Sequence, residues 1–139
     1  MPSVSAENTP PMVMVVDDEP ALVDIYSTAF KAAGFRVVTA ADGVAALANA
    51  IEHRPNLIIL DIIMPLKDGF ETLRDLKANP KTSQIPVIIL SNLGQEFEVK
   101  RGLSLGAASF LIKADMEPTT LIKKARHLLE AADGSPTSL

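Results

Sequence analysis

The sequence predicts an α/β protein built on a doubly wound, five-stranded parallel sheet with helices on both faces. Two observations carry this. Five short apolar runs alternate with five longer amphipathic ones, the pattern of successive strand–helix units. Three of the short runs are almost continuously apolar rather than alternating, as strands covered on both faces are. Right-handed crossovers then join each strand to the next. The length of 139 residues predicts one domain with no room for a second of ordinary size, and 47% hydrophobic residues can fill its core.

The first strand is predicted at Met12 to Asp17, MVMVVD. A helix follows from Pro20 to Ala33, where Leu22, Ile25, Tyr26, Ala29, Phe30 and Ala33 recur at the spacing of one face, and Gly34 supplies a left-handed end. The second strand, Phe35 to Thr39, is interrupted by Arg36 and belongs at an edge. The second helix runs from about Gly43 to His53, with Pro55 stopping it. The third strand is Asn56 to Asp61, and the third helix, Gly69 to Ala78, ends before Asn79-Pro80. The fourth strand is Pro86 to Ser91, and its helix spans about Gln95 to Leu105, before Gly106. The fifth strand, Ser109 to Lys113, leads to a helix from about Pro118 to Ala132, with Pro118 suited to the first helical position. A domain over residues 12–132 is thus expected between frayed tails at 1–11 and 133–139.

Composition narrows the function. With no cysteine, disulfides, thiolate metal sites and cysteine nucleophiles are excluded. A net charge of −4 predicts no direct nucleic-acid partner and no attraction to an anionic membrane. No apolar run approaches the roughly 20 residues of a membrane span, and the first residues lack the pattern of a secretion signal, so a cytoplasmic location is expected.

In a doubly wound sheet, ligands bind at the carboxyl ends of the strands. Polar residues stand there on four segments: Asp17-Asp18-Glu19, Asp61, Ser91-Asn92 and Lys113. Asp17, Asp18 or Glu19 could merely cap the first helix. Asp61 is different, because it lies between LIIL and IIMP, where capping does not explain a charge. Converging carboxylates would repel one another, and Mg²⁺, a hard cation that keeps few carboxylates plus waters and phosphate oxygens, relieves this. Carboxylate, cation, amine and hydroxyl together describe phosphoryl transfer to an aspartate.

The arrangement resembles the receiver domains of two-component response regulators, single-domain type. The matching text is VVDDEP, LIILDIIMPLKDG, VIILS and GAASFLIKA, covering about residues 12–131. The resemblance implies a flavodoxin-like (βα)5 fold with strand order 2-1-3-4-5. It implies that Asp61 accepts the phosphoryl group, that Asp17 and Asp18 hold Mg²⁺ with Asp61 and the backbone carbonyl of Ile63, and that Lys113 pairs with the phosphoryl group. Ser91 matches the switch hydroxyl and Phe110 the switch aromatic. A sensor histidine kinase or phosphotransfer protein would be the donor, a protein the target, and phosphorylation-dependent homodimers are a further expectation. The implied role is a stand-alone signalling module rather than an enzyme.

Several positions depart from the family pattern. Ala114 follows Lys113 where proline with a cis bond is common, and a cis bond before a non-proline residue costs roughly 2.5–4 kcal/mol. Either a trans bond with a reshaped loop or a strained cis bond is expected, which puts the reach of Lys113 in question. Ile63 and Leu93 are apolar at places where polar side chains could orient a hydrolytic water, so a long-lived phosphorylated state is predicted. Pro65 is expected to fix the loop after Asp61, and Gly69 to supply an unusual backbone conformation. His53 and His127 read as solvated helix residues.

Two alternatives compete. One is a receiver-like docking or dimerisation module without phosphorylation, which Ala114 keeps open. The other is an enzyme of the same topology. A flavin carrier would need a Ser, Thr and Gly-rich phosphate loop where DDEP stands, and an aspartyl-phosphate hydrolase would place a D-x-D nucleophile on the first strand, where Asp17 and Asp18 are adjacent.

Overall fold

Strands made of continuously apolar residues need cover on each face, and the chain provides it with alternating helices. The computed structural model describes residues 9–132. In order these form β1 (Met12–Val16), α1 (Pro20–Ala32), β2 (Arg36–Ala40), α2 (Gly43–His53), β3 (Leu57–Leu60), α3 (Gly69–Ala78), β4 (Val87–Ser91), α4 (Glu96–Ser104), β5 (Ser109–Ile112), a 3₁₀ turn (Lys113–Asp115) and α5 (Pro118–Ala132). The sheet is parallel throughout with order β2-β1-β3-β4-β5, so β2 lies at an edge. The doubly wound expectation and its strand order hold.

Successive strand residues point to opposite faces, and the core divides accordingly. Met14, Val16, Ile58, Leu60 and Ile89 pack with Ala46 and Ala50 of α2 and Leu73 and Leu76 of α3. Val13, Val15, Leu57, Ile59 and Ile88 pack with Tyr26 and Phe30 of α1 and Leu121 and Ala125 of α5. Phe30 and Phe35 meet edge to face, their centroids 5.0 Å apart.

Local chemistry sets the ends. Pro20 and Pro118 each open a helix, and Gly34 (φ 96°) follows α1 in the left-handed region. α2 ends two residues before Pro55, with Arg54 between them left-handed at φ 49°, and α3 is opened by a reciprocal capping box between Asp68 and Glu71. Strands 1, 3 and 5 stop one residue short of the predicted ends, so Asp17, Asp61 and Lys113 stand just beyond the sheet. No cis peptide occurs among the described residues. Of the two outcomes expected at Lys113-Ala114, the trans bond with a reshaped loop is the one present. Apart from residues 9–11, the tails expected at 1–11 and 133–139 lie outside the described residues. Among the described residues no helix is long and apolar enough to cross a membrane.

Candidate functional site

The pairing of Val16 with Leu60 brings the ends of β1 and β3 level, and the next residues of both strands are aspartates. Backbone bonds carry the alignment past the sheet: Asp17 N–H donates to Ala40 O at 3.1 Å and Asp61 N–H to Val16 O at 3.0 Å. Both aspartates are buried, at 4% and 6% exposure, while Asp18 is exposed. Oxygens of Asp17, Asp18 and Asp61 lie within 4.8 Å of one another, a grouping able to hold a cation. Asp17 Oδ1 also accepts the Glu19 N–H at 2.9 Å, and no side chain caps α1, so the capping reading of the acidic trio fails for Glu19 at the N-cap.

Lys113 reaches this group from the far side of β4. Its Nζ donates to Asp17 Oδ2 at 2.8 Å and Asp61 Oδ2 at 3.2 Å, and lies 3.7 Å from Glu19. The reach left in question by Ala114 is therefore made through the 3₁₀ turn. Burial alone would lower the Lys113 pKa, but its bonds and charge interactions with Asp17 and Asp61 outweigh burial and raise it, keeping the amine charged. Asp61 moves upward as well: burial is the largest cause, Asp17 adds to it, and Lys113 with the Ile62 N–H opposes. One ammonium shared by two buried carboxylates leaves Asp61 under-compensated. A divalent cation fits that imbalance, since it would favour the charged form of each carboxylate.

The remaining predicted residues occupy defined places. Ser91 ends β4 beside Ile112 of β5, is 1% exposed, and its Oγ accepts the Leu93 N–H at 3.3 Å. Phe110 on β5 is half-buried, next to α4: a Cβ built on Gly102 would stand 3.0 Å from the Phe110 ring and 2.7 Å from Ile89. Ile63 lies two residues past Asp61 in the β3–α3 loop with its side chain exposed, whereas Leu93 packs on the core. Gly69 corrects the sequence reading. Left-handed backbone in this loop falls on Leu66 (φ 70°), not on Gly69. What Gly69 supplies is close approach, because a Cβ there would meet Asp61 O at 2.2 Å and Ile62 Cα at 2.6 Å, while its N–H donates to Ile62 O at 2.7 Å.

One neighbour of the site escaped the sequence reading, and a second was placed only at a strand end. Tyr26 appeared only as a member of an apolar helix face, yet its phenol feels both Lys113 and Asp17; burial, the largest cause, raises its pKa. A lone tyrosine among aliphatic positions was the available signal. Asn92 accepts the Ala114 N–H at 3.1 Å, a link between distant loops that spacing cannot reveal.

An open parallel sheet thus carries a buried aspartate, an acidic pair and a lysine at its carboxyl edge. The chain belongs to the response regulator receiver domain family, which it matches over residues 13–126. It is 35% identical over 127 residues to the DNA-binding dual master transcriptional regulator RpaA of Synechocystis sp., covering 91% of this chain and 52% of RpaA. It is 38% identical over 116 residues to the response regulator PleD of Caulobacter vibrioides, covering 84% of this chain and 25% of PleD. The chain thus spans about half the length of RpaA and a quarter of PleD. The structure is similar to chemotaxis protein CheY4 of Vibrio cholerae, with TM-score 0.80 and 31% identity, covering 85% of this chain and 98% of that one. Receiver domains are signalling modules that interact with histidine kinases or phosphotransfer proteins and bind Mg²⁺ at an acidic pocket.

Proposed function

We propose that this chain accepts a phosphoryl group on Asp61 from a histidine kinase or phosphotransfer protein and signals through a change in the proteins it binds. The observation that carries the reading is the buried Asp61 carboxylate, held between an ammonium and two further carboxylates. An Asp61 oxygen attacks phosphorus, the P–N bond to the donor histidine breaks, and the leaving imidazole nitrogen keeps the bond's electron pair and takes up a proton. The product is an acyl phosphate. Lys113 Nζ, already 3.2 Å from Asp61 Oδ2, transfers its pairing to the phosphoryl oxygens. Ser91 Oγ–H donates to the same group, and Phe110 on the adjoining strand follows the hydroxyl inward. Asp17, Asp18, Asp61 and the Ile63 carbonyl would hold Mg²⁺, which would supply charge neutralisation of the transferred group.

We read the chain as signalling through a protein-binding surface in the cytoplasm, with α4, β5 and α5 carrying the altered surface. Incubation with acetyl phosphate and Mg²⁺, followed by intact mass, tests acceptance. The expected result is one added phosphoryl group, absent in Asp61→Asn. No increment in the wild-type protein would overturn the reading in favour of a docking module without phosphorylation.

A further inference from the structure

The turn after β5 is tied to the loop after β4 by one hydrogen bond. The trans Lys113-Ala114 peptide opens a 3₁₀ turn, closed by the Met116 N–H on Lys113 O at 3.2 Å. Within that turn the Ala114 N–H donates to Asn92 Oδ1 at 3.1 Å. Asn92 directly follows Ser91, whose Oγ accepts from the Leu93 N–H. The switch hydroxyl and the carboxamide are thus carried by consecutive residues leaving β4. A proline at position 114 would have no N–H to offer, so the bond exists because alanine stands there.

We infer that Asn92 is a positioning residue for Lys113, its carboxamide holding the trans turn where the ammonium spans Asp17 and Asp61. The inference rests on phosphoryl acceptance at Asp61. A lysine is a point charge on a flexible four-carbon stem, so its reach is set by where its backbone is anchored. A single 3₁₀ closure is a weak anchor. The bond from the β4 end adds a second, and because Asn92 adjoins Ser91, the two groups that meet the phosphoryl oxygens are joined through it. Movement of Ser91 toward the acyl phosphate pulls on the residue that holds the Lys113 turn.

The test follows acetyl phosphate uptake by intact mass against Mg²⁺ concentration. Asn92→Ala lowers the maximal rate roughly fivefold, the factor that one net hydrogen bond supplies. The half-saturating Mg²⁺ concentration stays unchanged, because no carboxylate is altered. In an Ala114→Pro background the donor is gone, and Asn92→Ala has no further effect. Equal maximal rates with and without Asn92, or an equal loss whether residue 114 is alanine or proline, would overturn the inference. Should Ala114→Pro fail to fold, amide exchange of Ala114 in ¹⁵N-labelled protein decides: faster exchange in Asn92→Ala supports the bond, and unchanged exchange refutes it. A wild-type protein that takes up no phosphoryl group would overturn the Asp61 reading itself, an outcome distinct from each of these.

Discussion

Asp61 is the residue on which the chemistry and the stability of the site pull in opposite directions. As the proposed nucleophile it would have to be ionised, yet burial, its largest perturbation, and the charge of Asp17 hold its pKa above the ordinary carboxylate value. A folded-state pKa above the unfolded one means that the folded protein binds this proton more readily. The stabilising contribution is therefore complete below the unfolded pKa and is lost as pH rises through the folded one. In metal-free protein at neutral pH, Asp61→Asn should accordingly raise the unfolding free energy by roughly 1 kcal/mol, the lower end for a close charge interaction, and with it the midpoint. It should also flatten the stability–pH slope just above the ordinary carboxylate range, as chemical denaturation across pH would measure. A lower midpoint in the variant would mean that the Lys113 bond outweighs burial. At the same scale, Ile63 and Leu93 present no polar group that could orient a hydrolytic water. The acyl phosphate, once formed in Mg²⁺ buffer and followed by intact mass, is expected to persist well beyond seconds.

The elements deliver these residues through close backbone approaches rather than through long side chains. α3 begins against the backbone of Asp61 because Gly69 has no Cβ, which would otherwise stand 2.2 Å from Asp61 O. Gly69→Ala must push the helix away from the loop, and overpacking of this kind costs about 1–3 kcal/mol. A drop of that size in denaturant stability, accompanied by slower phosphoryl uptake because Asp61 moves, is the expected outcome. Full activity with full stability would show that the loop yields freely. α2 uses the same device: a Cβ on Gly43 would meet Thr72 Oγ1 at 2.1 Å and Lys67 O at 2.6 Å. The loop between β3 and α3 is thus held by two helix starts, and the Lys67–Asp75 ion pair ties it to α3 as well. At α4, Gly102 lies against Phe110, so the helix and the ring share one contact through which a moving aromatic would be felt.

For the molecule as a whole, folding gathers three carboxylates, two of them bonded to one lysine, and any cation that binds only the folded state adds to stability by mass action. Mg²⁺ at about 100 times its dissociation constant should add roughly 2.7 kcal/mol. Thermal unfolding with and without Mg²⁺ measures this, and Asp18→Asn, exposed and outside the core, should largely abolish the gain without disturbing the fold.

The sequence by itself determined the architecture and the identity of the residues at its carboxyl edge. Continuous apolar runs are expected of parallel strands under helices on both faces, and capping does not explain a charge at Asp61, set between LIIL and IIMP. Local signals at Pro20, Gly34 and Pro118 are likewise read from neighbours in the chain. Only the tertiary structure decided how Lys113 reaches Asp61 without a following proline, why Gly69 must be small, that Tyr26 borders the site and that Asn92 bonds the turn after Lys113. Each of these depends on contacts between segments far apart in the chain. Periodicity reports which face a residue lies on, whereas distance to another loop is set by the packing of whole elements.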